Sequence, residues 1–146
     1  MTTIAVTKNQ IACDLQIYHA SGYKFKTKTK IYEFQISAVY PKPFCIGYAG
    51  NVDGLVPVLD WLADPTTKPP RVSSSEFVVL TSDHKIFTFA NPSQWFAVDQ
   101  PFYAIGSGAT FALGAMGSGA TALDAVKAAS KFDPMTGMGF KHIDYK

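Results

Sequence analysis

β-Branched and small residues fill positions 2–6, and an alternating stretch over 10–18 follows a turn at Lys8 and Asn9, so two strands are expected near the start of the chain. Lys24, Lys26, Lys28 and Lys30 then recur with period two, separated by Phe25, Thr27 and Thr29. This is strand spacing with one cationic face, the form of a solvated edge strand that lysines guard against further pairing. A strand over 33–39, a proline-containing turn over 40–43 and a short apolar strand over 44–48 come next, the last running into Ala49 and Gly50. A helix over 53–63 is predicted from Leu55, Val58, Leu59 and Leu62 on one face, with Asn51 or Asp53 as cap and Pro57 in its first turn.

Three prolines and a serine run make 65–75 a surface loop. Positions 77–81 and 85–90 flank Ser82, Asp83 and His84, the pattern of a tight hairpin. A strand over 102–105 passes through Gly106, Ser107 and Gly108 into an Ala-rich helix. A second helix over 120–130 carries Leu123, Val126 and Ala129 on related faces, and a C-terminal strand covers 139–145. The pentapeptide GSGAT occurs at 106 and again at 117. Eleven residues is too short for a solenoid repeat, so the echo is read as two similar loop-to-helix entries. The element order predicts one α+β domain over 1–146 with layered sheets.

Composition narrows the function classes. Thirteen Lys and Arg against 11 Asp and Glu give +2, well short of the basic surface that general nucleic-acid binding needs. Cys13 and Cys45 are too few for a disulfide framework and lie in no CxxC pair, which points to a reducing cytoplasm and no structural zinc. No charged leader precedes an apolar run, so no secretory signal is expected. The uncharged stretch 102–123 is long enough to span a bilayer, but nine of its 22 residues are Gly, Ser or Thr, and no membrane segment is expected there.

Several catalytic schemes fall away. There is no GxSxG elbow and no GxxxxGK[ST] phosphate loop; His19, His84 and His142 lack metal-ligand spacing. Cys45 sits in an apolar strand and reads as core. Thr2 is chemically distinct, because removal of Met1 before a small residue would put a hydroxyl and a free α-amine on the same residue. An α-amine titrates at about 7.7 to 8.0, so much of it would be neutral near physiological pH and able to accept the hydroxyl proton. Met-Thr alone is common, and the residues leave other readings open: Lys30 or Lys28 on a solvated strand, Asp14 closing a turn, Gly47 and Gly137 in turns, Ser107 capping a helix.

Six segments taken in order change the weighting: TTIAV at 2–6, Asp14 in CDLQ, Lys30 in KTKIYEF, Gly47 in CIGYAG, Ser107 in AIGSGATFALGAM, and DPMTG at 133–137. Together they resemble the proteasome-type N-terminal nucleophile (Ntn) hydrolases, both the proteasome β subunit and the bacterial ATP-dependent peptidase HslV, over nearly the whole chain. The resemblance implies a four-layer α/β/β/α sandwich and a threonine peptidase without cofactor. Thr2 would attack the peptide carbonyl to form an acyl-enzyme, with its own amine as general base. Lys30 would lower the amine's pKa and stabilise developing negative charge, with Asp14 as its partner. Gly47 would supply an oxyanion-hole N–H, and Ser107, Asp133 and Thr136 would orient the amine.

The same resemblance implies a cytoplasmic homo-oligomer acting on peptides or unfolded proteins, with an AAA+ unfoldase to deliver folded ones. The family places a second long helix beside the one expected over 53–63, and here 65–75 stands in its place, which leaves ring size open. Two rival readings are a catalytically silent scaffold or regulator of a host protease, and a hydrolase of small amides.

Overall fold

The computed structural model describes residues 2–65 and 68–146. Two antiparallel sheets lie face to face. The first contains β1 (Thr3–Thr7), β2 (Gln10–Asp14), β10 (Phe102–Gly106) and β11 (Phe140–Asp144) in the order β10-β1-β2-β11. The second contains β5 (Ile31–Phe34), β6 (Phe44–Gly50), β7 (Ser75–Thr81), β8 (Ile86–Phe89) and β9 (Phe96–Ala97) in that order. A separate two-stranded ribbon pairs β3 (Gln16–Tyr18) with β4 (Lys24–Lys26).

Side-chain alternation sets the layers. From β1 and β2, Ile4, Val6, Ile11 and Cys13 point between the sheets, where they meet Ile31, Cys45, Ala49, Val78 and Leu80. The opposite face of the first sheet presents Ala5, Ala12 and Ala104, small enough for two helices to pack closely: α2 (Ala109–Gly117) and α3 (Ala122–Ser130). On the outer face of the second sheet, Phe44, Ile46, Phe77 and Phe89 pack against Leu55, Val58 and Leu62 of α1 (Leu55–Ala63). The result is the expected α/β/β/α sandwich. The outer layer on the α1 side holds a single α-helix among the described residues, with none between α1 and β7.

Several expectations shift. The strand expected over 10–18 is two, because the chain bends at Leu15, whose N–H bonds to the carbonyls of Gly137 and Gly139. β2 therefore pairs with β11 while β3 turns away to the ribbon. The lysine-bearing edge strand is regular only over β4, where Lys24 and Lys26 are exposed. The strand expected over 33–39 is β5, ending at Phe34. The helix expected over 53–63 opens with a 3-10 turn over Val52–Gly54, capped by Asn51, whose side chain accepts from Asp53 N–H. Pro57 falls in the first turn of α1, where its missing N–H costs nothing. Within the expected loop 65–75, residues 66 and 67 lie outside the described residues, and Ser75 already belongs to β7.

The GSGAT echo is not conformational. In the first copy Gly106 takes positive φ and Gly108 starts the helix without a side-chain cap, whereas in the second Gly119 takes positive φ and Thr121 caps α3 by accepting from Asp124 N–H at 3.1 Å. No helix among the described residues is long and apolar enough to cross a membrane.

Candidate active site

Thr2 immediately precedes β1, a central strand of the first sheet, with its side chain on the inter-sheet side. Its Oγ1 donates to Asp14 Oδ1 at 2.5 Å and accepts from Lys30 Nζ. Lys30 Nζ also donates to Asp14 Oδ1 at 2.9 Å and to the Gln16 carbonyl at 2.5 Å, so all three ammonium protons have acceptors. Asp14, fully buried at the end of β2, receives the Thr2 hydroxyl, Lys30, and the N–H groups of Thr3, Gln16 and Gly137 at 3.1, 3.3 and 3.0 Å. Burying a carboxyl group without such a set of donors would be costly.

This geometry separates Lys30 from Lys28. Lys30 is 1% exposed and immediately precedes β5, while Lys28 is exposed. Burial drives the pKa of the Lys30 ammonium below its usual value, and the neighbouring Asp14 carboxylate works against that shift.

Behind Thr2 stands a second polar cluster. Asp133 Oδ2 accepts from Ser107 Oγ at 2.6 Å and Thr136 Oγ1 at 2.7 Å, and Met135 N–H caps Oδ1 at 3.0 Å. Against the desolvation of its site, the Ser107 and Thr136 hydroxyls hold the Asp133 carboxyl below its usual pKa. Thr136 Oγ1 lies 2.7 Å from Thr3 Oγ1, and Ser107 Oγ, its proton directed to Asp133, lies 3.4 Å from the Thr2 carbonyl oxygen. Ser107 is thus occupied with Asp133 and Thr2 rather than with capping α2. The backbone here admits no side chain: a Cβ on Gly106 would come within 2.0 Å of the Thr2 carbonyl oxygen, and one on Gly108 within 2.0 Å of Thr3 Oγ1.

Six of the seven residues picked from sequence meet in these two clusters: Thr2, Asp14, Lys30, Ser107, Asp133 and Thr136. Gly47 does not. It lies mid-strand in β6, paired with Ile31 on one side and Val78 on the other, and a Cβ there would be 2.7 Å from Ile4 Cγ2. Its small size serves close sheet-to-sheet packing. The glycine beside Thr2 and Lys30 is Gly50, at the end of the same strand. Its φ is +102° and a Cβ would lie 2.2 Å from the Ser74 carbonyl oxygen, so only glycine fits. Tyr48 N–H bonds to the Lys30 carbonyl on the β5 side and Asn51 N–H to the Ser74 carbonyl on the β7 side. Strand alternation therefore turns the Gly50 N–H to the β5 side, beyond the point where β5 begins. The glycine of CIGYAG that the structure sets beside Thr2 is therefore Gly50 and not the expected Gly47; the available signal was that Gly50 adjoins the break to Asn51.

A cavity of about 390 Å³ opens over Thr2, Lys30 and Gly50. Ile17, Ala20 and Phe25 of the ribbon form one wall and Tyr48 and Val52 the other. No motif marked these lining residues. Gln16 was also missed: its carbonyl takes Lys30, and its side-chain amide donates to the Pro134 carbonyl at 2.8 Å, tying the two clusters together. Cys13 and Cys45 are both buried free thiols, their pKa values pushed by burial to about 11 and about 12, unsuited to nucleophilic work near neutrality. Among the described residues no group of three or more His, Cys, Asp or Glu is arranged to hold a metal ion.

No protein-family model matches the sequence, and no curated protein matches it. Solved structures do match the fold. BPH from Thiobacillus denitrificans, solved in complex with epoxomicin, is 18% identical with TM-score 0.69 over 99% of this chain and 98% of its own. Eukaryotic HslV from Trypanosoma brucei is 16% identical with TM-score 0.71 over 97% and 98%. Anbu from Pseudomonas aeruginosa, solved as a helical assembly, is 12% identical with TM-score 0.73 over 98% of this chain and 80% of its own. The chain has the proteasome-like fold of the N-terminal nucleophile hydrolases.

Proposed function

We propose that the protein is a threonine-type peptidase in which Thr2, freed by removal of Met1, attacks a peptide carbonyl and carries the acyl group. The observation that carries this reading is the buried chain from Asp14 to Lys30 to the Thr2 hydroxyl at the floor of an open cavity. A hydroxyl that accepts from an ammonium is biased toward the alkoxide, and the same ammonium would depress the pKa of an adjacent α-amine, leaving it neutral and basic. As the Oγ–C bond forms, the hydroxyl proton passes to the amine and negative charge moves to the carbonyl oxygen, toward the Gly50 N–H. The amine then protonates the departing nitrogen as the C–N bond breaks, and water releases the acyl group by the reverse proton path. Ser107, Asp133 and Thr136 hold the Thr2 and Thr3 backbone in register for these transfers.

The cavity wall of Ile17, Phe25, Tyr48 and Val52 favours an apolar side chain on the acyl side of the scissile bond. Self-assembly in the cytoplasm, with an AAA+ unfoldase supplying folded substrates, is the arrangement in which such a site would act on proteins; the helical assembly of Pseudomonas Anbu supports the first element of it. Thr2→Ala tests the reading: it removes the hydroxyl and one methyl and should abolish cleavage of fluorogenic peptides while leaving the oligomeric state and melting curve near those of the parent. Cleavage that survives Thr2→Ala would exclude Thr2 as the nucleophile.

A further inference from the structure

A second cavity, about 400 Å³, lies on the other side of Gly50 from the first. Its walls are small: Ser74, Ala90, Gly106 and Ser107 with Gly50 itself, and one charged side chain, Glu76, lines it. Glu76 stands on β7, exposed, with Oε1 accepting from Gly106 N–H at 3.4 Å and no cation paired to it among the described residues. The two cavities differ in chemistry. The first is walled by aromatic and aliphatic side chains, whereas the second is open, lined by small residues, and carries a carboxylate with no cation paired to it among the described residues.

This inference rests on Thr2 being the nucleophile. In that reaction the departing nitrogen must take its proton from the α-amine, so the leaving segment has to lie on the amine's side of the scissile carbonyl. The amine belongs to the Thr2 main chain, whose carbonyl oxygen lies 3.4 Å from Ser107 Oγ, and Ser107 lines the second cavity. With the acyl-side residue in the apolar cavity, the leaving chain enters this one. We infer that the second cavity is the leaving-group site and that Glu76 makes the enzyme prefer substrates with Lys or Arg at the first residues beyond the cleaved bond. The small walls admit a long unbranched side chain, and a carboxylate at the rim pairs with its terminal cation.

The test is a set of donor–quencher peptides identical on the acyl side, with Lys, Gln or Glu as the first leaving residue, read as kcat/KM. Lys should exceed Gln by roughly threefold and Glu by roughly tenfold, the scale of one exposed ion pair gained and one like-charge contact avoided, and 0.5 M salt should compress the series. Glu76→Gln should flatten the Lys-to-Glu ratio and Glu76→Lys should invert it. The ratio is taken within each variant, so a general loss of activity cancels. A flat series in the parent protein, with cleavage intact, overturns the leaving-group assignment and leaves the peptidase reading standing. A ratio unchanged by Glu76→Gln overturns the role of Glu76. Cleavage of none of the peptides, with no Thr2 adduct from an epoxyketone, overturns the peptidase reading and this inference with it.

Discussion

Replacing Lys30 with methionine keeps most of the length and the apolar stem of the side chain but removes its ammonium group. Three contacts go at once: to Thr2 Oγ1, to Asp14 Oδ1 at 2.9 Å and to the Gln16 carbonyl at 2.5 Å. Stripping one partner from a buried ion pair costs about 3 to 5 kcal/mol when the other charge is left uncompensated. Asp14 is not left bare here, because the Thr3, Gln16 and Gly137 N–H groups still point at it. The stability loss should therefore fall near the low end, about 3 kcal/mol, readable as a lower midpoint in urea. Catalysis should suffer more. Removing a single preorganised donor from a developing anion costs about 100- to 1,000-fold in kcat, and the loss of the cation also lets the α-amine pKa rise toward about 7.7. Fluorogenic-peptide cleavage at pH 7.5 should drop by at least about 100-fold in Lys30→Met, against no change in Lys28→Met, whose side chain is exposed. A Lys30→Met protein that stays folded and keeps a tenth of the parent activity, or a Lys28→Met protein that loses it, would refute the assignment.

Two glycine substitutions separate packing from chemistry. Gly47→Ala forces a Cβ to within 2.7 Å of Ile4 Cγ2 and should cost about 1 to 3 kcal/mol in thermal or urea stability, with the folded fraction retaining activity. Gly50→Ala, strained at φ +102° and blocked by the Ser74 carbonyl, should displace the N–H beside Thr2 and lower kcat about 100-fold beyond any stability loss; equal kcat in both variants would contradict the choice of Gly50. The depressed Asp133 carboxyl gives an acid limb: its contribution to stability is present above the usual carboxylate pKa of 3.8 and is lost as pH falls through its lower folded value. Ser107→Ala should raise that value, so the 13C carboxyl titration of Asp133 and the acid unfolding midpoint should both move to higher pH; an unmoved titration would exclude the Ser107 bond as its cause.

The layers were legible because the short, near-continuous apolar runs of β1, β2, β6 and β7, buried on both faces, and the 3.6-residue spacing in α1 and α3 each carry their own evidence. What escaped was set by distant partners. The break at Leu15 depends on carbonyls of Gly137 and Gly139, more than 120 residues away, and nothing local in CDLQ announces it. Period two held from Lys24 to Lys30 in sequence, yet Lys30 is buried because the chain leaves the ribbon and enters the second sheet there. Picking Lys30 over Lys28 needed the resemblance, and picking Gly50 over Gly47 needed the sheet-to-sheet distance at Ile4, which no motif encodes. The cavity walls are ordinary core-type residues left partly uncovered, so they carry no sequence mark of their own.

The central claim, that Thr2 is a competent N-terminal nucleophile, is met most directly by the intact mass of the purified protein before and after incubation with a peptide epoxyketone. That reagent needs a threonine hydroxyl and a free amine on the same residue to close a stable ring. The expected result is loss of Met1, one adduct per chain, and no adduct in Thr2→Ala. A chain that has lost Met1 and forms no adduct, or that keeps Met1 throughout, would contradict it.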